Sequence, residues 1–253
     1  SQQDSPADRA GRQNHELAAK IGPEWRSGRL DGGATTELLA TLRHASDLDT
    51  PKAAVEMLNR GVGPQSLWDA LLDGAGEVLM RNPGIVGLHA VTSANALHYL
   101  YEASGDDMTR RWILLQCASF VPSFRAAAAK RGGSSNDVLV DRLEPLALAA
   151  PQEAVAEICA EIGRDRMSAA RKVLTYLQGN GDAKPLIDAA RLLIFAKGRD
   201  AHDYKFSSAV MEDYYHVSPE WRDKYLAASV LNLTGSQAPD NSLMQRARAA
   251  LGA

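Results

Sequence analysis

Apolar residues recur at helical spacing along most of this chain. Val55, Leu58 and Val62 follow a 3.6-residue period after Pro51, and Leu67, Leu71, Leu72, Ala75 and Val78 continue it in the next segment. From Ile85 to Tyr101 the text is long and mostly apolar, with Leu88, Val91, Ala94, Leu97 and Tyr101 forming one stripe. Asp106 or Asp107 is placed to cap the helix that carries Trp112, and Asp200 the helix that carries Phe206. Glycines such as Gly61, Gly63, Gly105, Gly179 and Gly198 fall near stops and turns. No stretch alternates apolar and β-branched residues with polar ones for long enough to predict a strand. The pattern predicts an all-α protein.

A phrase recurs on this background. PEWR stands at 23–26 and again at 219–222, with a near copy, PSFR, at 122–125. After the first come Gly32-Gly33, ATTELLATL and TPKAAVEML; after the second come Gly132-Gly133, SSNDVLVDRL and APQEAVAEI. The reading is two tandem helical repeats of about 98 residues, with about four helices each, forming a pseudo-symmetric bundle or short α-solenoid with a C-terminal partial repeat. The expected divisions are a polar, flexible leader over 1–22, repeats over 23–121 and 122–218, and a partial third repeat with a tail over 219–253. Proline suits the first turn of a helix, so Pro23, Pro122 and Pro219 are each expected to open one, with Trp25, Phe124 and Trp221 as apolar anchors. Arg26, Arg125 and Arg222 are expected to stack on an aromatic ring or pair with a carboxylate.

Composition removes whole classes. The net charge of −3 over 253 residues lacks the basic excess of a nucleic-acid binder. The apolar runs are too short and too polar to cross a bilayer, which points to a soluble chain, cytoplasmic or exported after signal removal. Two cysteines, Cys117 and Cys159, lie in apolar helical text and read as small core residues. There is no G-x-G-x-x-G between a strand and a helix, no Walker loop, no H-E-x-x-H, no C-x-x-C and no G-x-S-x-G. No metal ligand set is assigned.

Histidine carries the remaining candidate chemistry. His89 shares its helix face with Thr92 and Ser93, small residues of the kind that line a pocket or a close helix contact. His98 and Glu102 are spaced as a helix-surface pair. His89 and His98, nine residues apart, fall on opposite faces and cannot share one metal ion. His202 has Lys205 one turn away, and within the repeat Lys205-Phe206 answers Arg111-Trp112 while the histidine has no counterpart. A lysine beside an imidazole can hold an anion while the ring moves a proton.

Two patches, GLHAVTSANALHYLYEASGD at 87–106 and AKGRDAHDYKFSSAVMEDY at 196–214, resemble segments of questin oxidase-like proteins. The resemblance implies an all-α fold and an oxidoreductase of Baeyer–Villiger type, acting on an aromatic ketone with NADPH and oxygen. It implies His89, His202 and Lys205 as catalytic groups in a cleft between the repeats, with Thr92, Ser93, Phe206 and Trp112 against the substrate. Two further readings stand beside it: a non-catalytic helical-repeat module that binds a partner protein, and a haem or metal site built on His89 or His202.

Overall fold

A helix opens the chain where the sequence reads as a leader. In the computed structural model, which describes residues 5–131, 137–179 and 181–252, α1 runs Pro6–Ala18. Ser5 and Asp8 form its capping box, each side chain accepting from the other's backbone N–H. Ala10, Asn14, Leu17 and Ala18, one helical face, are buried. Periodic burial thus gives structure to a stretch whose polarity suggested none; residues 1–4 of that leader lie outside the described residues.

Eleven more helices follow among the described residues: α2 (Gly32–His44), α3 (Thr50–Asn59), α4 (Pro64–Arg81), α5 (Ile85–Ala103), α6 (Asp107–Lys130), α7 (Ala154–Glu161), α8 (Arg166–Gln178), α9 (Ala183–Lys197), α10 (Ala201–Asp213), α11 (Arg222–Ser229) and α12 (Ser242–Leu251). The described residues contain no strand; an isolated parallel bridge joins Arg29 to Val62. The fold is all-α, and no described helix is long and apolar enough to cross a membrane.

α4 is the axis. Every residue from Ser66 to Met80 is buried, because α2, α5, α6 and α11 surround it. Gly74 and Gly76 make that packing feasible. A Cβ at Gly74 would stand 2.8 Å from Leu42 Cδ1, and one at Gly76 would stand 3.2 Å from Ala228 Cβ. α5 packs on α4, α6 and α10, while α11 bridges α4 and α8. Asp106 and Asp200 cap α6 and α10 as the sequence predicts. Cys117 and Cys159 are both free and buried.

The three repeated phrases are not equivalent. Pro23 and Pro219 each start a turn that buries a tryptophan, Trp25 or Trp221. Pro122 instead lies buried inside the 24-residue α6, so the division expected at 121/122 falls within a continuous helix. The contacts of α6 with α1, α3, α4 and α5 hold it together across the missing N–H. The segment aligned with α2 also differs: residues 137–139 have no regular secondary structure and Val140–Arg142 form a single 3-10 turn, while Gly132-Gly133 lie outside the described residues.

The expected pairing of Lys205-Phe206 with Arg111-Trp112 is inverted in burial. Arg111 is buried and Trp112 is exposed, whereas Lys205 is exposed and Phe206 fully buried. Arg111 donates to the Ile21 carbonyl at 2.5 Å and lies 5.7 Å from the Trp25 ring. Arg222 stacks on Tyr214 at 5.3 Å, as an arginine of that motif was expected to do on an aromatic ring.

Candidate functional site

α5 and α10 run side by side in the same direction, and three polar clusters mark their seam. At the start, the rings of His89 and His202 stand 5.5 Å apart, tilted by 48°. In the middle, Asn95 donates to the Ala209 carbonyl and to Asp213 Oδ1, both at 2.9 Å. At the far end, the rings of His98 and His216 stand 5.1 Å apart.

The first cluster joins two of the sequence candidates, but not in an enclosed pocket. Both imidazoles are exposed, and none of the four cavities described below is lined by His89, His202 or Lys205. His202 Nδ1 lies 3.4 Å from Asp200 Oδ1, and the same carboxylate accepts from the His202 and Asp203 backbone N–H groups. Thr92 is buried and donates to Leu88 O, so its hydroxyl is spent on its own helix. Ser93 is half-buried. Phe206 belongs to the core, and Trp112 lies on a separate shallow groove of about 490 Å³ between α1 and α6, donating to the Gly11 carbonyl.

The far end differs from its expectation. His98 is buried, with its ring 4.8 Å from that of Trp68 in a T-shaped contact; its Nε2 is 4.0 Å from Glu102 Oε1. Burial, with the nearby charge of His216, lowers its pKa to about 4, so the ring is neutral at pH 7. The stripe of Trp68 and Tyr101 draws His98 inward, which an i,i+4 spacing to Glu102 does not disclose.

Beneath the seam lies a buried acidic set that the sequence reading missed. Burial raises the Asp213 pKa to about 7, against hydrogen bonds from Asn95 and from Tyr225 Oη at 3.0 Å. On α4, Asp69, Asp73 and Glu77 follow one another at single-turn spacing, all buried. Asp69 accepts from Ser218 Oγ at 2.6 Å, Ser218 N at 2.9 Å and Gln65 at 2.8 Å. Glu77 accepts from Arg43, Arg81 and Val140 N. Neither oxygen of Asp73 has a hydrogen-bond partner among the described residues, and burial lifts its pKa well above the ordinary range. One acidic residue per turn within apolar text is the signal that marks this stripe.

A cavity of about 140 Å³ opens between α2, α4 and α6. Its apolar wall comes from Leu39, Leu42, Val78 and Val121, and three guanidinium groups, Arg43, Arg81 and Arg125, line it. Glu77 and Asp141 grip Arg43, the latter at 2.6 Å, and raise its pKa against the effect of burial. Arg125 is bonded by carbonyls: it donates to Leu42 O and, at 2.8 Å, to Ala45 O at the end of α2. Burial and the neighbouring Arg81 charge lower the Arg125 pKa. Glu77, which pairs with Arg81 at 3.0 Å, and Asp137 also line the cavity, so Arg125 is the lining guanidinium bonded by carbonyls, and it adjoins apolar wall. Two other openings are a surface groove of about 560 Å³ along residues 29–32 and 60–62 and a small cleft of about 10 Å³ near Asn232.

No protein-family model, curated protein or solved structure matches this chain, so its class rests on its own geometry: a helical protein with an arginine-rimmed apolar cavity.

Proposed function

We propose that the protein binds a small organic anion in the α2–α4–α6 cavity. The observation that carries this reading is the pairing of Arg81 and Arg125 beside an apolar wall. A carboxylate between them would offset the burial, and the smaller effect of the Arg81 charge, that lower the Arg125 pKa, while a compact apolar body fills the space against Leu39 and Val121. The volume of about 140 Å³ suits a single ring or a short branched chain. Benzoate and phenylacetate, each compared with its neutral amide, are the probes. The acids raise the melting temperature and the amides do not. Ala129→Trp, at the exposed rim, removes the shift, and Arg81→Gln weakens it. Equal shifts from acid and amide, or a shift that survives Ala129→Trp, defeats the reading.

The duplicated architecture belongs to this proposal as a frame. The order α3–α6 corresponds to α7–α10, and α11 packs on both α4 and α8, which such a correspondence pairs. The cavity lies within the first set together with α2.

A second reading, the oxidoreductase implied by the questin oxidase-like resemblance, is favoured by the approach of His89 to His202. The residues around that pair do not fit a dinucleotide. The leading amides of α10 are already occupied by the Asp200 carboxylate, and Asp203 adds a second negative charge where phosphates would lie. No step is assigned through NADPH. The pair itself is better matched to a cation.

A further inference from the structure

The geometry points to His89 and His202 as a two-histidine chelate for a borderline transition-metal ion, Zn(II) or Cu(II), on the open face of the α5–α10 seam. This site is separate from the anion cavity and does not depend on it.

Three observations converge. The first is distance. An imidazole bound at about 2.1 Å has its ring centroid about 3.2 Å from the metal, so two rings sharing an ion at near-tetrahedral angles stand about 5 to 6 Å apart. The rings of His89 and His202 stand 5.5 Å apart. They come from helices more than a hundred positions apart in sequence, so the tertiary fold creates the pair.

The second is the carboxylate behind one ring. Asp200 Oδ1 faces His202 Nδ1 at 3.4 Å, which leaves Nε2 of the same ring directed away from the acid. A carboxylate behind a ligating histidine selects its tautomer and raises its basicity.

The third is the sign of the local charge. Asp200 and Asp203 counter the positive end of α10, with Arg199 just before the helix and Lys205 in it as the nearby cations. Both rings are exposed, so an ion reaches them without opening the fold. Among the described residues no group of three or more His, Cys, Asp or Glu side chains is placed to hold a metal ion together. The site is thus a two-point chelate in which water completes the coordination, with imidazole selecting Zn(II) or Cu(II) over Mg(II) or Ca(II).

The test is calorimetric titration of Zn(II), and separately Cu(II), into the chelator-stripped full chain without an affinity tag. The expected result is one saturable ion per chain with micromolar affinity, tighter for Cu(II), and no response to Mg(II). His89→Ala and His202→Ala each abolish saturable binding, and Asp200→Asn weakens it by about tenfold. His216→Ala, at the other end of the seam, leaves it unchanged. Circular dichroism confirms that the variants remain helical. Absence of saturation at millimolar Zn(II), or binding that survives His89→Ala or falls equally in His216→Ala, overturns the proposal.

Discussion

The two ends of the α5–α10 seam carry nearly the same pair of rings in opposite surroundings. His89 and His202 face each other across 5.5 Å in the open, and His98 and His216 across 5.1 Å with His98 packed under Trp68. Separation alone therefore does not set their chemistry. At the open end water solvates each ring, and a cation can reach both. At the covered end the cost of burying charge holds His98 neutral. Between them Asp213 meets the same cost with the opposite sign, since burial keeps its proton on rather than off.

The comparison breaks most severely at the cover. Trp68 is fully buried against His98 and Tyr101, so Trp68→Ala is expected to cost about 3–5 kcal/mol by chemical unfolding. A loss below about 1 kcal/mol would mean that this end is no better packed than the other.

A subtler expectation concerns pH. Between its ordinary value of 3.8 and about 7, folded Asp213 keeps a proton that the unfolded chain has released, so it makes stability fall as pH rises through that window. Between about 4 and 6.5, folded His98 refuses a proton that the unfolded chain binds, so it makes stability rise. The two oppose each other across most of the range. Relative to the parent chain, Asp213→Asn gains stability as pH goes from 4 to 7, and His98→Gln loses it from 4 to 6.5. Each difference is at most a few kcal/mol, read from urea midpoints at stepped pH. Parallel profiles for the parent and both variants would remove buried charge as the distinction between the ends.

The smallest effect belongs to the open end. His89→Ala and His202→Ala should change stability by no more than about 0.5 kcal/mol in metal-free buffer, because neither ring is buried. A large loss would turn the pair into packing.

Much of the fold was legible because burial repeats with the helical period. Leu67, Leu71, Leu72 and Val78 announce α4, and Asp106 and Asp200 announce the starts of α6 and α10. The leader misled because its apolar face is thin: Ala10, Leu17 and Ala18 supply it, with Asn14 bonding to Leu115 O and Ser119. PSFR misled because a proline followed by an aromatic residue and arginine looks alike in a helix start and in the middle of α6, where neighbours hold the helix together. His202 stands out in the sequence because it departs from its aligned counterpart, and His89 because of its small neighbours. The arginine cavity was missed because Arg43, Arg81 and Arg125 lie on three helices with no shared spacing.

The sequence by itself determined that this chain is helical, where most helices begin, and which faces they bury. These depend on neighbours a few positions away, whose spacing is written in the text. Only the tertiary structure decided that His98 is covered while His89 and His202 stay open, that Asp73 has no hydrogen-bond partner among the described residues, and that three arginines line one space. Those facts depend on distances between remote segments, and the free energy of a charge follows how much water those segments leave around it.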